Sequence, residues 1–138
     1  MARRKQVFEA PENDKGLPLP IGKAWNYGRS ALVPAEHWEV IIEFAQKQMP
    51  KFGELLEEAS YLDGDFSEWT NEKTLELYEG LDKLRKLIAQ SEPLTPEIKG
   101  EILENHPPEA HIEMIEAFML VIEESQRMGE MFDSYIDS

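Results

Sequence analysis

The stretch PAEHWEVIIEFAQKQMPKFGELLEEASYL, residues 34–62, decides the predicted fold. Its apolar positions recur at steps of three and four residues, the spacing that places side chains on one face of an α-helix. Pro34 suits the first turn of such a helix. Pro50 lies within the pattern, and a proline inside a helix removes one hydrogen bond and bends the axis. We therefore expect one long helix kinked at Pro50, or two nearly collinear helices.

Two further helices are predicted downstream of this stretch. A loop is expected at residues 62–67, because the sequence Leu-Asp-Gly-Asp-Phe-Ser is rich in turn-forming residues. A second helix with a leucine-rich face should then cover about 71–90, before Pro93 ends it. Thr95 offers a capping side chain for a short third helix, which should end before Pro107.

The last predicted helix is the most regular, because its apolar and small residues alternate at steps of four and three from His111 to Ile136. No segment shows strand alternation paired with a hairpin turn. The sequence therefore predicts an all-α fold, an antiparallel bundle of about four helices, the first long and kinked and the third short. We expect one shared core made of Trp38, Ile41, Phe52, Leu55, Leu81, Leu84, Ile115, Phe118, Ile122 and Phe132.

Residues 1–33 are predicted to form an extended N-terminal arm that docks on a helical bundle domain, residues 34–138. Several prolines and glycines between residues 11 and 28 exclude a long helix there. The arm nevertheless contains Trp25 and Tyr27, which are too apolar for a free tail, so we expect these two rings to attach it to the bundle.

The charge distribution excludes some classes of partner. The formal net charge is −14, and it is uneven: residues 1–33 carry six Lys/Arg against three Asp/Glu, whereas residues 34–138 carry eight against 25. Such a body repels nucleic acid and anionic membranes and attracts basic proteins. The longest apolar run, residues 117–122, is far shorter than the ~20 residues of a membrane span. The chain has no cysteine, which fits a reducing compartment, and we expect a cytoplasmic protein.

One acidic pattern indicates an enzyme. Glu54-Leu-Leu-Glu57 is followed, after 21 intervening residues, by Glu79-Gly-Leu-Asp82. This arrangement, which covers about 30 residues, resembles that of the all-α nucleoside triphosphate pyrophosphatases, the MazG-like enzymes. The resemblance implies that four carboxylates on facing helices hold Mg²⁺ against a triphosphate, an ion that prefers such hard oxygen ligands. Under this alternative Glu54, Glu57, Glu79 and Asp82 are the catalytic residues. Otherwise no cofactor or metal site is expected.

A second acidic segment indicates a protein-binding surface. The residues after the first predicted helix combine carboxylates with aromatic side chains, which often carry the binding energy of an interface. The predicted partner-binding residues are Asp63, Asp65, Phe66, Glu68, Trp69, Glu72 and Glu76.

Three functions follow from these patterns. The preferred hypothesis is a non-enzymatic intracellular protein-binding module, such as an inhibitor or immunity protein for a basic partner, for example a toxin. The first alternative is the Mg²⁺-dependent pyrophosphatase. The second is a structural or assembly subunit that forms a homodimer through its wide apolar helix faces.

Overall fold

A computed structural model describes residues 4–12, 24–91 and 108–137, in which four helices pack with a four-stranded antiparallel sheet. The elements in chain order are β1 (Lys5–Glu9), β2 (Asn26–Tyr27), β3 (Ser30–Pro34), α1 (Ala35–Gln48), α2 (Pro50–Ser60), α3 (Asn71–Ala89), α4 (Pro108–Met128) and β4 (Asp133–Asp137). The short helix predicted between Thr95 and Pro107 lies outside the described residues.

The prediction of an all-α fold was wrong, because the two ends of the chain pair in one sheet. The strand order is β2-β3-β1-β4, so the N-terminal strand β1 lies between β3 and the C-terminal strand β4. At the centre of the sheet, Val7 is opposite Leu32 on one side and Tyr135 on the other. Residues predicted to be an extended arm therefore supply β1, β2 and all of β3 except Pro34, within the parts that the structure describes.

The last helix also ends earlier than predicted, at Met128 rather than near Ile136. Gly129 adopts a left-handed conformation with φ of 73°. Its amide donates to Gln126, and the next amide, of Glu130, donates back to Ser125. This pair of hydrogen bonds is the Schellman motif, which satisfies the last carbonyls of a helix and turns the chain away. The chain is thereby free to form β4.

The predicted kink at Pro50 is a full reversal of the chain, so the expectation of a kinked or collinear helix was wrong. Met49 leaves helical geometry, with φ of −142° and ψ of 73°, as expected for a residue before proline. Trp38 Nε1 donates to Ser60 Oγ at 2.8 Å, whereas 22 residues of straight helix would separate the two by about 33 Å. Gly53 permits this close packing of α2 on α1, since a Cβ there would lie 2.5 Å from the Gln46 Cα.

The second predicted helix is confirmed as α3, which begins after Thr70. The Thr70 side chain accepts a hydrogen bond from the backbone amide of Lys73 at 3.2 Å, the usual N-cap contact. The segment between α2 and α3 is a loop, as its composition predicts.

The predicted core is confirmed for nine of its ten residues, which belong to one buried cluster, while Leu55 is half-buried against it. The sheet contributes Phe8, whose ring stacks on Phe118 with centroids 3.7 Å apart and meets Trp38 edge-on at 4.9 Å. Of the two rings expected to attach the arm, Trp25 packs against this core and Tyr27 is 58% exposed.

Two buried polar side chains of the sheet cap the end of α2. Gln6 Nε2 in β1 donates to the Ser60 carbonyl at 2.7 Å, and Ser134 Oγ in β4 donates to the Ala59 carbonyl at 2.5 Å. Ser134 also receives hydrogen bonds from the next segment, through its Oγ from the Leu62 amide and through its carbonyl from the Asp63 amide. The carbonyls in the last turn of a helix lack partners within the helix, so these contacts fasten α2 to the sheet.

Replacing Ser134 by alanine should lower the free energy of unfolding by about 2–4 kcal/mol. The change leaves the Ala59 carbonyl and the Leu62 amide buried without their partner, and each such loss costs about 1–3 kcal/mol. Urea denaturation measures the difference. Ser30→Ala, at a half-buried position in β3, is the control and should stay within about 0.5 kcal/mol of the wild type. Equal stability of the two variants would contradict the proposed role of Ser134.

Candidate functional site

The loop between α2 and α3, residues 61–70, which we call the acidic loop, begins with a tight turn held against β4. Asp63 and Gly64 both have positive φ, 49° and 79°, and the Asp65 amide donates to the Leu62 carbonyl at 2.9 Å. Two successive left-handed residues closed by this hydrogen bond are typical of a type I′ turn. The Gly64 amide donates to Asp133 Oδ1 at 2.9 Å, so the tip of the turn is bonded to the start of β4.

The second half of the loop is ordered by its own side chains. Asp65 Oδ1 accepts hydrogen bonds from the hydroxyl of Ser67 at 2.7 Å and from the Ser67 amide at 3.1 Å, which makes an Asx turn. These two hydrogen bonds, the hydroxyl's first, hold the pKa of Asp65 below its ordinary value, because they stabilise the carboxylate. Asp65 therefore carries its negative charge at neutral pH.

Trp69 fixes the end of the loop to the body of the protein. Its Nε1 donates to Thr74 Oγ1 at 2.7 Å, and its ring meets Phe132 edge-on with centroids 6.1 Å apart. The other part of the half-buried ring remains accessible, and Phe66, three residues earlier, is 38% exposed. The loop is thus attached at both ends and presents aromatic surface between them.

A groove of about 360 Å³ lies between the end of α2 and this loop. We call it the acidic groove, and it is lined by Glu58, Tyr61, Leu62, Asp65, Ser67, Glu68 and Trp69. Three of its lining residues are carboxylates and two are aromatic. Such a combination favours a cationic group, because carboxylates attract its charge and ring faces attract it through their quadrupoles.

The negative field of the acidic groove extends onto α1 and α2. The pKa of Tyr61 is raised, first because its ring is partly buried, and then because the carboxylates of Glu39 and Glu57 disfavour a phenolate. Arg4 acts in the opposite direction, and its guanidinium forms an exposed ion pair with Glu39 at 3.4 Å. The antiparallel packing of α1 and α2 brings Glu39 near Tyr61, whereas Glu57 lies only four residues before Tyr61 in sequence.

The structure brings together part of the predicted partner-binding set. Asp65, Glu68 and Trp69 line the acidic groove, and Asp63 and Phe66 are exposed on the same loop. Glu72 is exposed in the first turn of α3, whereas Glu76 lines a different groove between α2 and α3. The sequence did not indicate Tyr61, Leu62 and Ser67 as members of this set. Their closeness in sequence to the predicted partner-binding residues could have indicated them. Whether their side chains line the same groove depends on where α2 ends and how the chain continues from it.

The four carboxylates of the pyrophosphatase pattern are spread over different surroundings. Glu57 accepts a hydrogen bond from Gln46 at 2.5 Å. Asp82 pairs with Lys86 and Arg85, which lower the pKa of its carboxyl. Glu79 lines the groove between α2 and α3, and Glu54 is exposed. Among the residues that the structure describes, no three Asp, Glu or His side chains lie close enough to hold a metal ion.

A buried contact between two histidines lies apart from the groove. His37 Nδ1 and His111 Nε2 are 2.9 Å apart, in the first turns of α1 and α4. A hydrogen bond needs one donor and one acceptor, so a single proton is shared at this contact. The pair therefore joins two helix starts in the interior of the protein.

No protein-family model matches the chain, and neither a curated protein nor a solved structure is significantly similar to it. Within residues 4–12, 24–91 and 108–137, no helix has the combination of length and apolar character needed to cross a membrane.

Removing the Glu57 charge should lower the pKa of Tyr61 while leaving it above the ordinary value, because burial is the larger cause. An NMR titration of the tyrosine rings in Glu57→Gln and in wild type measures the change. Tyr135 is an internal control: its hydrogen bond to Glu9 raises its pKa to about 12, independently of Glu57.

The raised pKa of Tyr61 also determines how the stability of the folded protein changes with pH. The folded state favours neutral Tyr61, so this stabilisation is complete below the ordinary pKa of 10 and is lost as the pH rises through the folded-state pKa. An unchanged Tyr61 pKa in Glu57→Gln would show that the field of α2 does not reach the groove.

Proposed function

We propose that the protein is a non-enzymatic, cytosolic binding protein whose acidic groove receives basic side chains of a partner protein. The main observation behind this proposal is that three carboxylates and the rings of Tyr61 and Trp69 line one groove. Aromatic residues in a partly enclosed site supply contact area at low entropic cost, and the surrounding charge selects a cationic partner.

The rigidity of the loop supports the same proposal. Hydrogen bonds to Ser134, Asp133 and Thr74 fix the loop before any partner is bound. A surface that is already ordered loses little conformational entropy on binding, so more of the contact energy appears as affinity. The excess of acidic residues in the chain would also steer a cationic protein and raise its association rate by ~10–10³ at low salt.

The concrete form of this proposal is an inhibitor or immunity protein for a basic enzyme, such as a nuclease toxin. An enzyme that acts on nucleic acid needs a cationic surface for the phosphate backbone. An acidic protein that covers this surface would block its substrate. The same charge opposes contact between two copies of the groove, so the partner is a different protein rather than a second copy.

The double variant Asp65→Asn with Glu68→Gln tests the proposal in a pull-down from the native host. Asparagine at 65 keeps the oxygen that accepts the Ser67 hydrogen bonds, so the variant removes charge and preserves the turn. Wild-type protein should capture a basic protein that the variant loses, and association of that pair should slow steeply as salt rises. Purified wild-type protein should also inhibit the captured enzyme.

Glu43→Gln with Glu54→Gln is the matched control, since it removes two exposed charges that do not line the groove. This control should retain the partner. Capture that is indifferent to salt, or equally weakened in both double variants, would contradict binding through the groove. Recovery of the chain alone, as a homodimer, would favour an assembly subunit.

A further inference from the structure

An ammonium group of the protein itself already contacts residues that line the acidic groove. Lys73 extends from the first turn of α3, and its Nζ lies 2.9 Å from Glu58 Oε1 and 3.0 Å from the carbonyl oxygen of Glu68. The same Nζ lies 5.6 Å from the centroid of the Trp69 ring. The Lys73 side chain is 32% exposed, so the ion pair with Glu58 is partly open to solvent.

All three partners of Lys73 line the acidic groove. A carboxylate, a carbonyl oxygen and a ring face are the groups that recognise an ammonium, which has donors and positive charge but no acceptor. The contacts of Lys73 therefore indicate that these groups can bind an ammonium, whatever the number of acidic residues around them. They identify one position, bounded by three residues that line the groove, that fits a primary ammonium.

We propose that Lys73 is an internal competitor at this position and that a lysine side chain of the partner replaces it. This inference rests on the proposed function, because it names the group that the groove receives. On binding, the partner's ammonium takes the contacts with Glu58, the Glu68 carbonyl and Trp69, while Lys73 turns outward to water. The Asp65 carboxylate is not engaged by Lys73 and is available to a second cation.

The internal competitor makes binding selective. When a site is vacant for only a fraction of the time, its apparent affinity for a ligand equals the intrinsic affinity multiplied by that fraction. An isolated cation competes poorly with a tethered lysine, whose effective concentration is high. A partner with several lysines gains additional contacts along the acidic rim and can displace Lys73.

Lys73 can be replaced without disturbing the start of α3. The N-cap hydrogen bond of Thr70 uses the backbone amide of residue 73, not its side chain. Lys73→Met also keeps an unbranched chain beside Trp69. We therefore expect the melting temperature of Lys73→Met to remain close to that of the wild type.

The test measures binding of an N-acetylated, C-amidated tetralysine peptide by calorimetry at 0.15 M salt. Lys73→Met should bind it about five- to tenfold more tightly than wild type, because the internal competitor is gone. Lys73→Arg, which keeps a cation at the position, should bind like wild type. Lys86→Met is the matched control: it removes one charge from the same helix, where Lys86 pairs with Asp82 outside the groove. It should change affinity by less than about twofold, since salt screens distant charges.

Equal affinities for Lys73→Met and Lys86→Met would overturn the inference and leave the proposed function standing, provided that Asp65→Asn with Glu68→Gln still weakens the peptide. Tighter binding by Lys73→Met that the same double variant does not reduce would overturn it as well, since the peptide would then bind elsewhere. Absence of peptide binding by every variant would overturn both the internal competitor and the cationic partner.

Discussion

The carbonyl groups in the last turn of α2 depend on the sheet for their hydrogen bonds. Gln6 from the first strand and Ser134 from the last strand supply them, and Trp38 from α1 donates to Ser60 in the same turn. Buried backbone groups without partners are costly, so this junction couples the two ends of the chain to the helical layer. Ser134 then binds the amides of the following residues, and the acidic loop leaves the body of the protein at this point.

The acidic groove is a consequence of that junction and of the reversal between α1 and α2. The reversal brings Glu39 from α1 near Tyr61 at the end of α2. The junction holds the loop so that Asp65 and Trp69 form the opposite side of the groove. Carboxylates that are far apart in the sequence are thereby gathered around two aromatic rings, in an arrangement that a cationic partner can recognise.

The sequence predicts the elements whose pattern is local. The leucine-rich face of α3 and the composition of the acidic loop indicated these segments, and three of the groove residues, Asp65, Glu68 and Trp69, were among the predicted partner-binding residues. The strands β1 and β4 were missed because Gln6 and Ser134 are polar yet buried, while the large aromatic residue Tyr135 is partly exposed. These positions hide the alternation of apolar and polar residues by which strands are recognised, and the pairing of β1 with β4 spans almost the whole chain. Pro50 indicated a break in the helix, but the angle between α1 and α2 depends on the close contact with Gln46 that Gly53 permits.

Amide hydrogen exchange of Leu62 and Asp63 tests most directly whether the sheet holds the acidic loop in place. Both amides donate to Ser134, one to its hydroxyl and one to its carbonyl. We predict that they exchange as slowly as amides of the ladder between β1 and β4, since all of them open only when the junction opens. Exchange at the rate of an unstructured loop, with the β1–β4 ladder still protected, would show that the groove is not ordered by the sheet.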